Sequence, residues 1–417
     1  MKSQERKMVY VAMSGGVDSS VAAALLKKQG YDVTGVFMKP WQPEISKYRN
    51  IEISSGCLWQ KDREDAMRVA TKLGIPLLTW DFSKEYKREV ADYMIREYRA
   101  GRTPNPDVMC NKHIKFGLFL EKALKEGADY IATGHYVRLM RKTLNSTEIP
   151  GLKRREPYLS KLETLNKLKT KNSKKTENLN IENSLKIAKD KNKDQSYFLW
   201  TLTQKQLKYC LFPIGDYIKP EVRRMAKKFG LPTADKKDSQ GVCFVGPLDI
   251  KVFLKSYIKP KTGDIILGDN TRSTRFARSG RVIGQHDGVF YYTLGQRHGL
   301  DIKNGRGPHF IIKKDIKKNI LFVGSKEDLF SQKMKLTSIN WINRPSQPVD
   351  NRLRKSIIHR GGGLEVDVRV RYRAPLVKAI IHNNGEVVFK KPEIAITPGQ
   401  SAVFYKHDEL IGGGIIK

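Results

Sequence analysis

The sequence predicts an α/β fold: a Rossmann-like, doubly wound parallel sheet followed by two small β-rich domains, the last of them a β-barrel. Three observations carry that expectation. Over the first 135 residues, short apolar runs alternate with helical patterns, the rhythm of a parallel sheet with crossover helices. Beyond about residue 255, helical patterns give way to short strands and glycine turns. From about residue 332, apolar and polar residues alternate around an Asn-Gly and a Pro-Gly turn, as in a small antiparallel barrel.

The first strands are read at "MVYVAM", "DVTGVFM", "IPLLTWDF" and "ADYIATGHY". Helical patterns lie between them at 19–29, 62–73, 83–100 and 114–126. Three of these end at Gly30, Gly74 and Gly127, where a glycine commonly closes a helix. Residues 141–192 break the rhythm. They are rich in Lys and Asn and poor in aromatics, the composition of a flexible insertion. Order is expected to resume at "DQSYFLWTL", with a further helix near 219–229. The domains are accordingly expected at 1–250, 251–331 and 332–417.

Composition narrows the partners. With 78 Lys and Arg against 43 Asp and Glu, the net charge is +35. A lysine-rich proteome would explain part of this. Fifteen basic against six acidic residues between 141 and 193 account for +9, leaving +26 spread over the rest. A distributed excess of that size favours a polyanionic partner such as nucleic acid or an anionic membrane surface. No run of eighteen apolar residues occurs, so no membrane span is expected. The N-terminal "MKSQERK" lacks an apolar signal core, so export or organelle targeting is not expected unless processing has removed a leader. The four cysteines, Cys57, Cys110, Cys210 and Cys243, form no C-x-x-C pair. A structural zinc site is disfavoured, and reduced thiols in a cytoplasm are expected.

Three stretches could carry chemistry. The first is the turn from Ala12 through Met13, Ser14, Gly15, Gly16, Val17 and Asp18 to Ser19, between a strand and a helix. Its glycines permit backbone angles closed to other residues, and the helix that follows offers its first amides to an anion. It lacks the lysine of a kinase-type phosphate loop and the G-x-G-x-x-G of a dinucleotide fold. By itself the turn supports only anion binding, with Asp18 free to cap the helix or meet a metal. In a parallel sheet the loops after successive strands converge, which brings Met38 and Gly134 toward the same point. The second stretch, "GRTPNPDVMCNKHIKF", is read as a rigid loop before a helix. It presents Asp107 and Cys110 three residues apart, with Cys110 expected to ionise readily among Lys112, His113 and Lys115. The third, "KKDSQGVCFVG", sets Cys243 in another basic loop. Two such cysteines suit thiol–disulfide or persulfide chemistry. Cys57 and Cys210 sit in less distinctive settings, where packing is the simpler reading.

The full S-G-G-V-D-S resembles the pyrophosphate loop (PP-loop) of the ATP-pyrophosphatase superfamily. With G-R-T-P-N-P-D-x-x-C-N-K-x-I-K-F, A-T-G-H-Y, K-D-Q-S-Y-F-L, D-S-x-G-V-C-F-V-G, Y-T-L-G-Q-R-x-G-L and the closing P-G-Q-S-A-V-F-Y in order, the chain resembles the tRNA-specific 2-thiouridylase family over nearly its whole length. That resemblance implies an enzyme using ATP and Mg²⁺ to adenylate O2 of the wobble uridine, then replacing that oxygen with sulfur. It implies Ala12 to Ser19, Met38 and Gly134 as nucleotide contacts, and Asn105, Pro106 and Asp107 at the target base, with Asp107 as acid/base. Cys110 would be the nucleophile and Cys243 the persulfide carrier. His135, Lys193, Asp194, Gln195, Arg371, Tyr372 and Gln400 would touch tRNA. The family expectation is tRNA accepting Lys, Glu or Gln, with a cysteine desulfurase or sulfur-relay protein as donor. Apart from the resemblance, His135 reads equally as a strand cap, Arg371 as part of a solvated strand face with Arg369 and Arg373, and Gln400 as a turn residue. An ATP-pyrophosphatase ligase without a cysteine pair, and a tRNA-binding protein without catalysis, are the rival readings.

Overall fold

The computed structural model describes residues 6–43, 58–143, 181–237, 250–268, 281–302, 307–345, 358–359 and 363–417. Its first layer is a five-stranded parallel sheet. Strands β1 (Met8–Ala12), β2 (Asp32–Lys39), β3 (Leu77–Asp81) and β4 (Tyr130–Ala132) follow the expected runs. The order is β3-β2-β1-β4, extended on the β4 side by the two-residue strand Cys210–Leu211. Strand β1 buries Val9 and Val11 completely, as a parallel strand covered on both faces must. Helix α1 (Val17–Lys28) follows β1 directly, and α2 (Leu58–Leu73) leads into β3. The chain runs from β1 outward to β3, then returns to the other side of β1 at β4. That reversal is the switch point where ligands of such sheets bind.

Of two helical rods, the first matches the expected helix at 83–100 and the second extends beyond its expected start. Ser83–Tyr86, Lys87–Ala91 and Asp92–Arg99 run on as one rod with a wide π turn in its middle. Pro106–Met109, Cys110–Leu118 and Phe119–Lys125 form a second. This helix starts eight residues before the expected Ile114. Asn105 accepts a hydrogen bond from Val108 N at 3.3 Å and Pro106 occupies the first helical position. Both are strong helix-start signals. The expected rigid loop around Cys110 is therefore helix.

The insertion read at 141–192 also needs correction at its ends. Residues Arg138–Thr143 and Ile181–Lys186 pair as an antiparallel hairpin, Thr143 opposite Ile181 and Arg138 opposite Lys186. Leu139 and Leu185 on these arms are fully enclosed. Residues 144–180 lie outside the described residues.

A central four-stranded sheet follows, in the order Phe310–Asp315, Ile320–Gly324, Gly263–Leu267, Val282–His286. The last domain is a closed barrel of six antiparallel strands. Phe330–Trp341 begins it, and closure comes from pairing that strand with Glu409–Ile416. Its own core holds Val368, Phe389 and Phe404. The hairpin from the first domain adds to this barrel, Leu185 pairing with Leu410.

The segment "SYFLW" docks the two domains. Trp200 donates to Ser401 Oγ at 3.0 Å, Tyr197 to Ser401 O at 2.8 Å, and Asn340 to Trp200 O at 2.7 Å. Trp200 packs close against Gly413, where a Cβ would sit 2.8 Å from its ring. The run of three glycines closing the sequence thus has a packing reason.

Candidate active site and nucleic-acid interface

The opening loop sits at the carboxyl edge of the sheet. Ala12 pairs with Val36 and Val11 with Ala132, so Met38 and Gly134, each two residues further along, flank the same edge. Met38 is itself half-buried against the core. Gly15 takes φ +70°, which turns the chain into α1. Gly16 is the N-cap in extended conformation and supplies no side-chain cap. Ser19 and Ser20 turn their hydroxyls back to Gly16 O, at 3.1 and 2.8 Å, and Ser19 Oγ also accepts from Ser14 N at 3.3 Å. Gly134 approaches from β4 so closely that a Cβ there would lie 2.7 Å from Ser19 N. The first amides of α1 therefore face a cradle shaped by glycines, suited to an anion.

Two lysines that sequence reading missed converge on this loop. Lys219 binds both oxygens of Asp18, at 2.8 and 2.9 Å. Lys236 donates to Gly15 O at 3.0 Å, Asp62 Oδ1 at 2.7 Å and Asp65 Oδ2 at 2.6 Å. Each lies about two hundred residues from the loop, and only the fold could bring them together. In the sequence Lys236 is only one of several lysines before Cys243, and Lys219 opens a helix whose sequence shows only amphipathic character.

Asp107 and Cys110 lie three residues apart in one helix and share a face. Burial raises the Asp107 carboxyl above its ordinary range, and Lys115 opposes the rise. Burial likewise pushes the Cys110 thiol up, against Lys115 and a hydrogen bond with Tyr86. The expectation of a readily ionised Cys110 is thus overturned. Basic neighbours are present, but the thiol is 5% exposed and the loss of water outweighs them. Cys210 is fully buried and donates to Gln206 O at 3.1 Å, in keeping with a packing role. Cys57 and Cys243 lie outside the described residues.

The tRNA candidates divide into two groups. His135 is buried, shares a 2.7 Å hydrogen bond with Thr133 Oγ1, and has Phe116 and Phe212 as ring neighbours. Its imidazole is held well below its ordinary pKa by burial and then by Lys115. Asp194 is 3% exposed, accepting from Ala188 N, Ser196 N and Oγ, and Arg369 Nη1 at 2.9 to 3.2 Å. Gln195 pairs with the backbone of Tyr136 on both sides. In the described conformation His135 and Asp194 are enclosed by the chain, so neither presents a side chain outward. Lys193 is half-buried beside them.

Arg371, Tyr372 and Gln400 form the second group, on the barrel. The strand ends at Arg369, so Arg371 and Arg373 do not continue a strand face. Arg369 instead pairs inward with Asp194, while Arg371 is exposed and reaches Thr397 Oγ1 at 3.2 Å. Tyr372 packs tilted against Phe198, ring centroids 4.5 Å apart. Gln400 donates to Thr103 O and Pro104 O at 2.9 and 3.0 Å, clamping the segment that leads to Asn105, Pro106 and Asp107. Thr103 also meets Thr293 of the central domain, hydroxyl to hydroxyl at 3.1 Å. Residues of the three domains line an open cavity of about 310 Å³ here, among them Thr103, Thr293, Gln296, Arg371 and Gln400.

Among the described residues, no helix is long and apolar enough to cross a membrane. Three family models tile the chain: a tRNA methyl transferase HUP domain over residues 7–247, a tRNA methyl transferase PRC-barrel domain over 251–325, and an aminomethyltransferase β-barrel domain over 331–416. The likeness to solved structures is slight. An NMN synthetase from Francisella tularensis is 14% identical with a TM-score of 0.28, covering 56% of this chain and 66% of that one. Curated relatives match from end to end. The tRNA-specific 2-thiouridylase MnmA of Geobacillus thermodenitrificans is 41% identical over all of this chain and 96% of its own length. That of Bacillus subtilis is 40% identical with the same coverage, and that of Flavobacterium johnsoniae 39% over 98% of this chain and all of its own. The glycine loop, the Asp107–Cys110 helix and the barrel are thus parts of one inherited architecture, and the chain belongs to the tRNA-specific 2-thiouridylase family.

Proposed function

We propose that this protein is a tRNA-uridine 2-sulfurtransferase acting on the wobble uridine. The observation that carries the reading is an uncapped, glycine-lined helix start at the sheet's switch point, in the same domain as a helix that carries Asp107 and Cys110 on one face and whose leading segment is clamped by Gln400 of the barrel. ATP enters as substrate, with its phosphates toward Ser14 to Ser19. Among the described residues no group of three His, Cys, Asp or Glu side chains could hold a metal, so Mg²⁺ would arrive on the nucleotide phosphates, whose charge it offsets.

The chemistry then follows from the residues. Uracil O2 is a poor leaving group, and its attack on the α-phosphorus, with loss of pyrophosphate, turns it into AMP. Asp107, whose carboxyl pKa is raised by burial, is suited to manage the uracil proton. The terminal sulfur of a persulfide on Cys243 attacks C2 and AMP departs. The Cys110 thiolate then attacks the inner sulfur of Cys243. The S–S bond breaks, sulfur stays on C2, and a Cys110–Cys243 disulfide forms, to be reduced by an external thiol. The buried Cys110 must first be uncovered, and entry of the everted base between helix and clamp is the event that would do so.

Lys193, Arg371, Tyr372 and Gln400 would carry the tRNA face, with His135, Asp194 and Gln195 supporting it from behind. The substrates are tRNAs accepting Lys, Glu or Gln, the sulfur donor is a cysteine desulfurase or relay protein, and the compartment is the cytoplasm. The test is to incubate the protein with unmodified tRNA, ATP, Mg²⁺ and sulfide, then analyse nucleosides by mass. The expected product is 2-thiouridine. Its absence, where a control enzyme succeeds, overturns the reading.

A further inference from the structure

The nucleotide loop has a charge conflict. Helix α1 offers its first amides to an anion, yet Asp18 places a carboxylate in that same turn. A polyphosphate brought there meets a like charge, and the two repel. The fold supplies Lys219 at this point. Its ammonium spans both oxygens of Asp18, and Tyr136 adds a hydroxyl to Oδ1 at 2.8 Å. Lys219 is only 8% exposed, so it gives up hydration and rotamer freedom to stand there. Its backbone is pinned as well: Lys219 N donates to Asp190 Oδ2 at 2.9 Å, and Ile218 N to Glu221 Oε2 at 2.8 Å. Lys236, on the opposite flank, is already shared between Asp62 and Asp65. It cannot serve Asp18 too.

We propose that Lys219 is a positioning residue for the nucleotide. By neutralising Asp18, it lets the uncapped start of α1 hold the departing pyrophosphate. It fills, from outside the loop, the place that a lysine inside the loop takes in kinase-type phosphate loops. The proposal rests on the reading of this loop as an ATP site. Its test is therefore built on ATP binding, measured by calorimetry on the full chain with Mg²⁺ and without tRNA. If the unsubstituted chain does not bind ATP, the functional reading falls, and Lys219 is not what failed.

Lys219→Met is expected to weaken ATP at least about tenfold, the effect of one lost charge interaction. In turnover the loss should fall mainly on KM for ATP. Lys219→Arg, which keeps the charge in a tight site, should stay within about threefold of the original affinity. The double variant D18N/K219M, which removes both charges, should recover most of the tenfold. Binding by K219M equal to the original overturns the proposal. So does K219R as weak as K219M, which would make packing the role, or a double variant as weak as K219M, which would show that the effect does not run through Asp18. Melting temperatures are recorded for each variant. If K219M fails to fold, K219R against the double variant decides, since both must bind ATP for the proposal to stand.

Discussion

At Asp107, burial and a neighbouring charge pull the carboxyl proton in opposite directions, and burial wins. A carboxyl whose pKa is higher in the folded chain than in the unfolded one favours folding only while it is protonated. That contribution is complete below the ordinary carboxylate range and is lost as pH rises through the raised folded value. At neutral pH the ionised form is therefore a cost. Asp107→Asn should raise the melting temperature at pH 7, and the gain should shrink as pH falls through the raised folded value and be gone below about 4. The same variant should lose thiolation by about 10²- to 10⁴-fold, the usual share of an acid/base group. A melting point that drops at pH 7 would show that the ionised carboxylate stabilises the fold. Cys110 invites a parallel measurement. Burial keeps its thiol protonated, so iodoacetamide labelling, followed on the Cys110 peptide by mass spectrometry, should be slow at pH 7. It should still be climbing above the ordinary thiol range near 8.5. Fast labelling at pH 7 would restore the reactive-thiol reading that the basic neighbours first suggested.

The turn Pro398-Gly399-Gln400 holds the segment that leads into the helix bearing Asp107 and Cys110. Pro398 O accepts from Thr103 N at 2.8 Å, and Gly399 takes φ +93° so that the chain can press against Thr103. A Cβ on Gly399 would stand 2.8 Å from Thr103 O, on backbone that cannot yield cheaply. Gly399→Ala should cost about 1–3 kcal/mol of stability from the strained angle. It should also lower kcat for thiolation while ATP binding is kept, because the nucleotide loop is elsewhere. Equal losses in both would mean that the clamp serves the whole domain. Such couplings mark the limit of what a sequence discloses. The parallel sheet was legible because its strands and glycine-ended helices carry their own periodicity. The strand Cys210–Leu211 was not, since two residues have no period, and the hairpin at 138–143 and 181–186 was not, since its partner strand lies more than two hundred residues away. The helix start at Pro106 is encoded in Asn105-Pro106, but Asn and Pro signal a turn equally well, so the sequence does not separate the two. At the site, the glycine loop and the Asp107–Cys110 pair were visible as motifs. Lys219 and Lys236 were not, because their meaning is a distance in space.

Charge acts over the whole molecule, and the hairpin offers a way to ask which part of it matters. Every phosphate neutralised on tRNA adds about −0.7 to −0.9 to the slope of log affinity against log salt concentration. With +35 on the chain, a slope of about −4 or steeper is expected for tRNA, against a much shallower one for ATP. A slope near zero would remove the polyanion argument altogether. The lysine-rich stretch from 141 to 193 is the other place to look: it carries +9 of the total, of which residues 144–180, nine basic against four acidic, carry +5. Thr143 and Ile181 face each other in register at the hairpin's open end, so an Asn-Gly turn can join them in place of residues 144–180. The barrel-docked strands then remain intact. If tRNA is held by the distributed surface around Arg371 and the domain junction, the shortened chain should keep most of its slope and most of its thiolation. A slope cut by half or more would move the electrostatic anchor into the stretch itself, and the surface around the three-domain cavity would be left with orienting the anticodon rather than capturing the tRNA.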